Sequence, residues 1–257
     1  TFTDLDAALA YAAEQGAPIV VKADGLALGK GVVVAQTVEE AKTAIREMMA
    51  DRKFGDSGST VVIEECMTGP EVTVLAFCDG EHLVPMPSSQ DHKRAYDGNQ
   101  GPNTGGMGAF SPSPNYTEGV AAQCMEKIFL PTVAALKAEG RPFQGVIYFG
   151  LMLTPEGPKV VEYNARFGDP ETQAVLSLLD SDLMDIFLAC TNGTLDQADI
   201  RWKPGAACCL VLASGGYPTK YQSGFPISGL EEAGARGMVF HAGTKLGEDK
   251  KTVLTAG

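Results

Sequence analysis

The chain has 257 residues, of which 44% are hydrophobic, and it carries 20 basic against 32 acidic side chains, for a formal charge of −12. This length allows one large domain or two modest ones with real cores. The acidic balance argues against a broad nucleic-acid surface, which needs clustered Lys and Arg, and the longest apolar run, "VIYFG" continuing into "LML", is too short for a membrane span. We therefore expect neither nucleic acid nor membrane as a partner.

The six cysteines form no CxxC pair and do not stand at zinc-ligand spacing with any of the three histidines. We interpret them as reduced, buried thiols, which favours a cytoplasmic protein. Because the chain begins at Thr1 rather than methionine and stops after "TVLTAG", we expect a fragment of a longer protein.

In chain order, the hydrophobic pattern predicts hairpins with helices between them, which suggests α+β layers on antiparallel sheet. Strands are predicted on both sides of the glycine-rich turn in "VVKADGLALGKGVVV", at 60–67, and in hairpins at 71–86 and 145–163. Helices are predicted at 38–50, 118–138 with an interruption at Pro131, 170–179 and 182–190. The segment 88–114 has no hydrophobic period, and short strands are predicted in "ACCLVLASGGYP" and "GMVFHAGTKL".

The glycine-rich turn Val20–Val34 is a candidate phosphate-binding loop. A Walker loop would need G-x-x-x-x-G-K-[ST], but the spacing from Gly25 to Gly29 is one residue too short and Gly31 replaces the hydroxyl residue. A Rossmann turn would need a helix directly after the glycines. Two interpretations remain: a turn between strands that folds over phosphates with its N–H groups and lysines, and a plain surface hairpin.

The stretch "KVVEYNARFGDPET" offers hard oxygen ligands. Period-two alternation predicts Glu162 and Asn164 on one face of a strand, as suits Mg²⁺. Arg166 follows on that face if the strand continues, where it could reach an acyl or phosphoryl oxygen. The alternative is a solvated strand edge with Asp169 as a helix cap.

The stretch "VVIEECMTGPEV" offers groups that could bind a nucleoside. A strand that ends in Glu64-Glu65-Cys66-Met67 offers backbone groups beside apolar side chains, as an adenine ring requires, and the Glu71 carboxylate could accept from ribose hydroxyls.

Taken together, the order of these motifs resembles the ATP-grasp core of the phosphoribosylamine-glycine ligase family (glycinamide ribonucleotide synthetase). The long loop "DHKRAYDGNQGPNTGGMGAF" and "EYNARFGDPETQ" are the most specific motifs, and the resemblance extends into "SGGYP" and "VFHAGT". It implies an α+β ATP-grasp fold with a small lobe at 1–67, a large lobe at 68–192 and part of a C-terminal β-rich subdomain, truncated, at 193–257.

The resemblance also implies roles for individual residues, with ATP between the two lobes. The phosphates would face Lys22, Gly25, Gly29, Lys30 and Gly31. Adenine would border Glu65, Cys66 and Met67, and ribose would contact Glu71. Glu162 and Asn164 would ligate Mg²⁺ or Mn²⁺. The region for glycine and phosphoribosylamine would be lined by the catalytic candidates Lys93 and Arg166 and by Asp91, Thr104 and Asp169, although 91–94 alone also reads as a solvated loop.

The implied reaction is an ATP-dependent ligation of glycine to 5-phosphoribosylamine through glycyl phosphate. It needs charge neutralisation rather than a side-chain nucleophile, and the sequence shows no Ser-His-Asp or Cys-His constellation. The chain departs from the family pattern in that "YFGLMLT" offers no further acidic metal ligand, Cys66 stands where an aromatic residue is frequent, and Pro70 stands where an acidic residue is frequent. The family's amino-terminal domain and the end of its C-terminal subdomain are also expected to be missing. The alternatives are another ATP-grasp ligase or carboxylase with a different acceptor, and a nucleotide-binding module without turnover.

Overall fold

A computed structural model describes residues 1–27 and 31–257. The chain forms two compact units, Thr1–Thr68 and Gly69–Gly257. The elements of the first unit are α1 (Leu5–Gln15), β1 (Ile19–Ala23), β2 (Val32–Ala35), α2 (Val38–Met49), a 3₁₀ turn (Gly55–Gly58) and β3 (Val61–Glu65).

The first unit is an antiparallel sheet in the order β2-β1-β3, with both helices packed on its core. The prediction of α2 is confirmed: the Thr37 hydroxyl oxygen accepts from the Glu40 N–H at 3.2 Å, and the apolar stripe behind it is buried. Helix α1 was not predicted. Its buried positions are Ala8 and Ala12, and such small side chains give only a weak hydrophobic period.

The second unit contains more strands than helices. Its elements are β4 (Glu71–Asp79), β5 (Leu83–Pro85), β6 (Gln90–Asp91), β7 (Arg94–Tyr96), β8 (Gln100–Asn103), β9 (Gly108–Ser111), α3 (Glu118–Cys124), a π-helical turn (Met125–Phe129), α4 (Leu130–Ala138), β10 (Gln144–Thr154), β11 (Gly157–Asn164), α5 (Glu171–Ser177), α6 (Leu183–Asn192), a 3₁₀ turn (Leu195–Gln197), β12 (Ala207–Leu210), α7 (Leu230–Gly234), β13 (Thr244–Leu246) and β14 (Val253–Thr255).

An antiparallel sheet in the order β11-β10-β4-β5 is the centre of this unit. Alternate residues of β4 and β10 face opposite cores, as strand geometry requires. One face, which includes Phe149, packs on the helical run α3–α4, and the rings of Phe129 and Phe149 lie 4.3 Å apart. The other face, which includes Phe77 and Tyr148, packs on α5 and α6. Both hairpins predicted from the sequence are confirmed.

The helical run at 118–138 continues through the predicted interruption at Pro131. The π turn Met125–Phe129 ends just before α4, whose second residue is Pro131, so only Leu130 lies between the turn and the proline. The Thr132 hydroxyl donates to the Ile128 carbonyl at 2.7 Å, within the same turn. The proline therefore changes the pitch of the run and does not end it.

Two sequence-based expectations need correction. The segment 88–114 contains four short strands, of which β6 and β9 join β12 in one sheet and β7 pairs with β8. The predicted strand through Met238 and Phe240 is wrong, since these side chains are 68% and 53% exposed and the strand begins only at Thr244. Within the described ranges, no helix combines the length and hydrophobicity that crossing a bilayer requires.

Candidate functional site

The glycine-rich turn of the first unit joins β1 to β2, as predicted. Its first glycine is fixed by close packing: the Gly25 N–H donates to the Ser57 carbonyl at 3.0 Å, and a Cβ at this position would lie 2.5 Å from the Ser57 Cα. At the other end, the Gly31 carbonyl accepts from Ala23 at 2.8 Å, and a Cβ there would lie 2.6 Å from the Ala27 Cβ. Gly25 and Gly31 are thus required by the space available.

Lys22 lies on β1 at the base of this turn. Its ammonium contacts the Glu64 carboxylate of β3 at 2.5 Å, an ion pair that the sequence reading did not anticipate. The end of β3 leaves Glu65 exposed, with Cys66 and Met67 half-buried behind it. Gly29 and Lys30, the two remaining phosphate candidates, lie outside the described residues.

The second unit brings Glu162 and Asn164 together at the end of β11. The Asn164 amide donates to the Glu162 carboxylate at 3.3 Å, so these two side chains share a face as predicted. The bond uses the amide nitrogen, and it leaves the amide oxygen of Asn164 available to a cation.

A β-bulge decides which face this is. Gly150 of β10 pairs with Glu162, whereas the next residue, Leu151, pairs with Val160, so Val161 is the extra residue. Without this bulge, Glu162 would pair with Phe149 and point into the apolar core. The bulge instead directs Glu162 to the polar face, as bulges beside functional sites often do.

Lys93 and Glu71 meet beside this pair. The Lys93 ammonium contacts the Glu71 carboxylate at 2.8 Å, and a small cleft lined by both residues also contains Glu162. Burial by itself lowers the pKa of Lys93, but the charges of Glu71, Glu162 and Asp91 outweigh it and raise that pKa. Lys93 is therefore a firmly charged ammonium within a group of carboxylates.

Thr104 ties the long loop back to Lys93. The Thr104 N–H and hydroxyl both donate to the Lys93 carbonyl, at 2.7 and 2.8 Å, and the hydroxyl oxygen accepts from the Gly106 N–H at 3.0 Å. Gly106 has φ +117°, and a Cβ there would lie 2.8 Å from the Asp91 Oδ1. The loop glycine is needed both for its backbone conformation and for the space that it leaves beside Asp91.

Asp91 is a carboxyl group without a partner for one oxygen. Its Oδ1 is buried and accepts no hydrogen bond from the described residues. Burial, followed by the nearby charge of Glu171, raises the pKa of Asp91 to about 7. A buried carboxyl with such a pKa is a frequent feature of binding and catalytic sites.

Arg166 and Asp169 lie beyond the strand, which ends at Asn164. The Arg166 guanidinium donates to the Phe167 carbonyl at 2.7 Å and lies 5.8 Å from the centre of the Tyr148 ring. The Asp169 carboxylate accepts from the Gln173 side chain at 2.7 Å. The alternative interpretation of Asp169 as a helix cap is wrong, because Pro170 occupies the cap position without a side-chain hydrogen bond.

The sequence reading missed a polar group beneath the site. Glu171, Tyr148 and Thr73 form a hydrogen-bonded group on the face that carries Glu162: both hydroxyls lie 2.8 to 3.3 Å from the Glu171 carboxylate and 2.9 Å from each other. Tyr148 was hidden in the apolar run "VIYFG", and Thr73 in the β-strand pattern. Glu171 stands in the specific motif "NARFGDPETQ", which was the available signal.

Comparisons with known proteins agree on one family. The family model described as phosphoribosylglycinamide synthetase, ATP-grasp (A) domain, matches residues 1–172, and the model of the C domain of the same synthetase matches residues 207–257. A phosphoribosylamine–glycine ligase of Salmonella typhimurium is 52% identical over the whole chain, which spans 60% of that relative's length.

Solved structures give the same result for the fold. The crystal structure of a phosphoribosylamine–glycine ligase of Thermotoga maritima aligns with 97% of this chain and 61% of its own, with a TM-score of 0.84 and 32% identity. A biotin carboxylase complex of Campylobacter jejuni aligns with 86% of this chain and 47% of its own, with a TM-score of 0.64 and 18% identity, a likeness of fold alone. The predicted α+β fold of the ATP-grasp type is confirmed.

Proposed function

Because the chain belongs to the phosphoribosylglycinamide synthetase family, whose ATP-grasp and C-domain models it matches, we propose that the full-length protein joins glycine to 5-phosphoribosylamine at the expense of ATP. This ligation is a step of de novo purine biosynthesis. The activity is proposed for the full-length protein because this chain spans 60% of the curated relative's length.

In this reaction, a carboxylate oxygen of glycine attacks the γ-phosphorus of ATP, which forms glycyl phosphate and releases ADP. The amine of phosphoribosylamine then attacks the glycyl carbonyl, and phosphate leaves as the amide forms. The transferred group needs positioning and charge neutralisation, and no side-chain nucleophile is required.

The observation that carries the proposal is the placement of Lys93 between two carboxylates with different proposed roles. Its ammonium contacts Glu71, assigned to ribose, and shares a cleft with Glu162, assigned to the metal. A fixed positive charge between a nucleoside contact and a metal ligand is suited to a migrating phosphoryl group. Thr104 fixes the Lys93 backbone through two hydrogen bonds.

The chemistry of Glu162 and Asn164 fits a divalent cation. A carboxylate and an amide oxygen are hard ligands, and their side chains lie within hydrogen-bond distance of each other at the open end of β11. When bound, Mg²⁺ or Mn²⁺ would neutralise phosphate charge and orient the triphosphate. Glu162 and Asn164 would hold this ion, and Gly150, which pairs with Glu162, has no side chain to supply a further ligand.

The remaining assignments follow the family pattern residue by residue. The phosphates face Lys22, Gly25, Gly29, Lys30 and Gly31, and adenine borders Glu65, Cys66 and Met67. Arg166 and Lys93 serve the reacting groups, and Asp91, Thr104 and Asp169 line the substrate region. The domains are assigned to 1–67, 68–192 and 193–257, and the location to the cytoplasm.

The decisive experiment measures ADP release by the full-length protein. We expect release to require glycine and phosphoribosylamine together, and the product to contain the new amide. Release that depends on bicarbonate or another carboxylate would contradict the proposed substrates and indicate a different ATP-grasp ligase. Binding of ATP without any turnover would indicate a nucleotide-binding module.

A further inference from the structure

Glu171 is the first residue of α5 and is 2% exposed. Its carboxylate accepts hydrogen bonds from the Tyr148 hydroxyl at 2.8 Å and from the Thr73 hydroxyl at 3.3 Å. Both donors are uncharged. Burial of a carboxylate with only neutral partners costs stability relative to an apolar side chain of similar size. Packing alone therefore gives no reason for an acid at this position.

The residues around Glu171 leave space for its carboxylate and fix the direction in which the side chain points. A Cβ at Gly168 would lie 2.6 Å from the second carboxylate oxygen of Glu171. Thr73 and Tyr148 come from neighbouring strands, β4 and β10, and their hydroxyls lie 2.9 Å apart. The Tyr148 hydroxyl donates to the Glu171 carboxylate, so this contact selects one orientation of the phenolic O–H.

Tyr148 connects this buried group to the candidate site. Its ring is the platform for the Arg166 guanidinium, at 5.8 Å from the ring centre, which is within the range of a cation–π contact. It is also the cross-strand neighbour of Asn164, one of the two proposed metal ligands. A shift of the phenol would therefore move the support beneath Arg166.

We propose that Glu171 is a positioning residue, which acts through the hydroxyl of Tyr148 to hold Arg166 at the substrate end of the site. This inference rests on the proposed function for the role of Arg166 but not for the contacts themselves. Glu171 has no direct part in the reaction: it holds Tyr148, and Tyr148 holds Arg166.

Two conservative substitutions in the full-length protein separate positioning from packing. Glu171→Gln removes the charge and keeps the shape, and Tyr148→Phe removes the hydroxyl and keeps the ring. We expect each to lower kcat on the order of ten- to a hundredfold, because misplacement of a reacting group is costly, while the KM for ATP stays within about twofold. The matched control is Tyr163→Phe, which removes a hydroxyl that contacts Thr132 on the opposite face of the same hairpin. It should leave kcat unchanged.

A double-mutant cycle tests the route through Arg166. If Glu171 and Tyr148 act by holding this arginine, neither substitution should lower kcat further in an Arg166→Ala background. An equal loss in both backgrounds would overturn the proposal. So would a fall in Tm with kcat unchanged, because that result describes a residue with only a packing role.

An NMR measurement without substrate keeps this test separate from the test of the ligase activity. A guanidinium held over an aromatic ring has a ring-current-shifted Nε–Hε signal, which Arg166→Lys would assign. We expect this signal to move towards the position of a free arginine in Glu171→Gln and Tyr148→Phe. An unchanged signal in both variants would overturn the proposal even if the protein ligates glycine, and the expected change would support it even if glycine is not the substrate.

Discussion

Asp91 shows how the fold holds a single side chain in an unfavourable state. Its Oδ1 is buried without a hydrogen bond from the described residues, and Glu171 adds a second negative charge nearby. Burial and this charge raise the pKa of Asp91 from its ordinary value of 3.8 to about 7. The native state therefore binds a proton more tightly than the unfolded chain does. Stability associated with this group is fully present below pH 3.8 and is lost as the pH rises to about 7.

We expect Asp91→Asn to stabilise the protein at pH 8 but not at pH 4, because the amide mimics the protonated carboxyl. The gain should be at least about 1 kcal/mol, since one pKa unit corresponds to about 1.4 kcal/mol and partial exposure reduces the full effect. Urea unfolding at both pH values measures it. An equal effect at pH 4 and pH 8 would contradict the raised pKa. Turnover should fall in the same variant, as is common where function retains a strained group.

At the scale of single residues, the sequence predicted which chemical groups would be present but not which would meet. Glu162 and Asn164 were placed on one face by alternation, and the structure brings them together. The Lys22–Glu64 and Lys93–Glu71 ion pairs join residues 42 and 22 positions apart. Local spacing carries no information about such contacts, because the register of β1 with β3 creates the first and the return of the chain past the start of β4 creates the second.

At the scale of secondary-structure elements, both hairpins were predictable because turn residues and alternation agreed. The bulge at Val161 was not, because "KVVEYN" alternates acceptably in either register, and only packing against β10 selects one. The strands within 88–114 are two to four residues long, too short for a hydrophobic period to show.

The bulged pair β10–β11 also makes a glycine important to the metal site. A Cβ at Gly150 would lie 3.0 Å from the Glu162 Cγ and 3.3 Å from the Tyr148 ring, so both neighbours would have to shift slightly. We expect Gly150→Ala to weaken Mn²⁺ binding by roughly tenfold, with a change in unfolding free energy below about 1 kcal/mol because alanine suits a strand. Electron paramagnetic resonance of free Mn²⁺ measures the binding.

Two further variants serve as references for the Mn²⁺ binding of Gly150→Ala. Glu162→Ala should abolish Mn²⁺ binding and leave the fold intact. Gly119→Ala changes a glycine in α3 where a Cβ would meet only the Thr117 hydroxyl, at 4.0 Å, and it should bind Mn²⁺ like the unchanged protein. If Gly150→Ala also binds Mn²⁺ normally, the close packing of Gly150 against Glu162 does not hold Glu162 in position as a metal ligand.

Asp79 joins two elements of the second unit. Its buried carboxylate accepts from the Glu81 and His82 N–H groups, from the His82 ring, and from the Leu195 N–H after α6, at 2.7 to 3.1 Å. Burial would raise the pKa of Asp79, but these donors outweigh it and lower the pKa to about 2. The carboxylate of Asp196 lies near the same imidazole. Because Asp79 is already satisfied by N–H donors, we interpret this group as a structural tie and not as a metal site.

We expect Asp79→Asn to destabilise the protein by about 2–3 kcal/mol at pH 7, since an amide group would face donors with a donor of its own. A depressed pKa gives stability that is present above pH 3.8 and lost as the pH falls through about 2. The decline of wild-type stability over that range should therefore shrink in the variant. The control is Asp249→Asn. The pKa of Asp249 is also lowered to about 2, but this side chain is exposed. Acid unfolding followed by circular dichroism would contradict the prediction if both variants behaved alike.

At the scale of the whole molecule, each compact unit has its own core and carries part of the proposed nucleotide contacts. Lys22 and the residues after β3 belong to Thr1–Thr68, and Glu71 with the metal ligands belongs to Gly69–Gly257. The order of motifs predicted the fold, because it joined several weak signals along the whole chain.

We expect ATP with Mg²⁺ to raise the Tm of the 257-residue chain, whereas glycine alone should not. A ligand at a hundred times its Kd stabilises the native state by about 2.7 kcal/mol, and for a chain of this size each kcal/mol raises Tm by about 2–4 °C. Differential scanning calorimetry with and without a chelator measures this shift. No shift at millimolar ATP would show that the chain lacks a competent nucleotide site.

The π turn Met125–Phe129 affects how this chain should be aligned with its relatives. Such a turn takes up one inserted residue without displacing the α-helical segments on either side. A homologue that lost one residue between 125 and 129 would regain an unbroken α-helix with its apolar stripe in place, whereas a deletion elsewhere in α3 or α4 would rotate that stripe away from the core. Alignments should therefore place single-residue gaps of this helix at 125–129, and evolutionary length changes here should be tolerated.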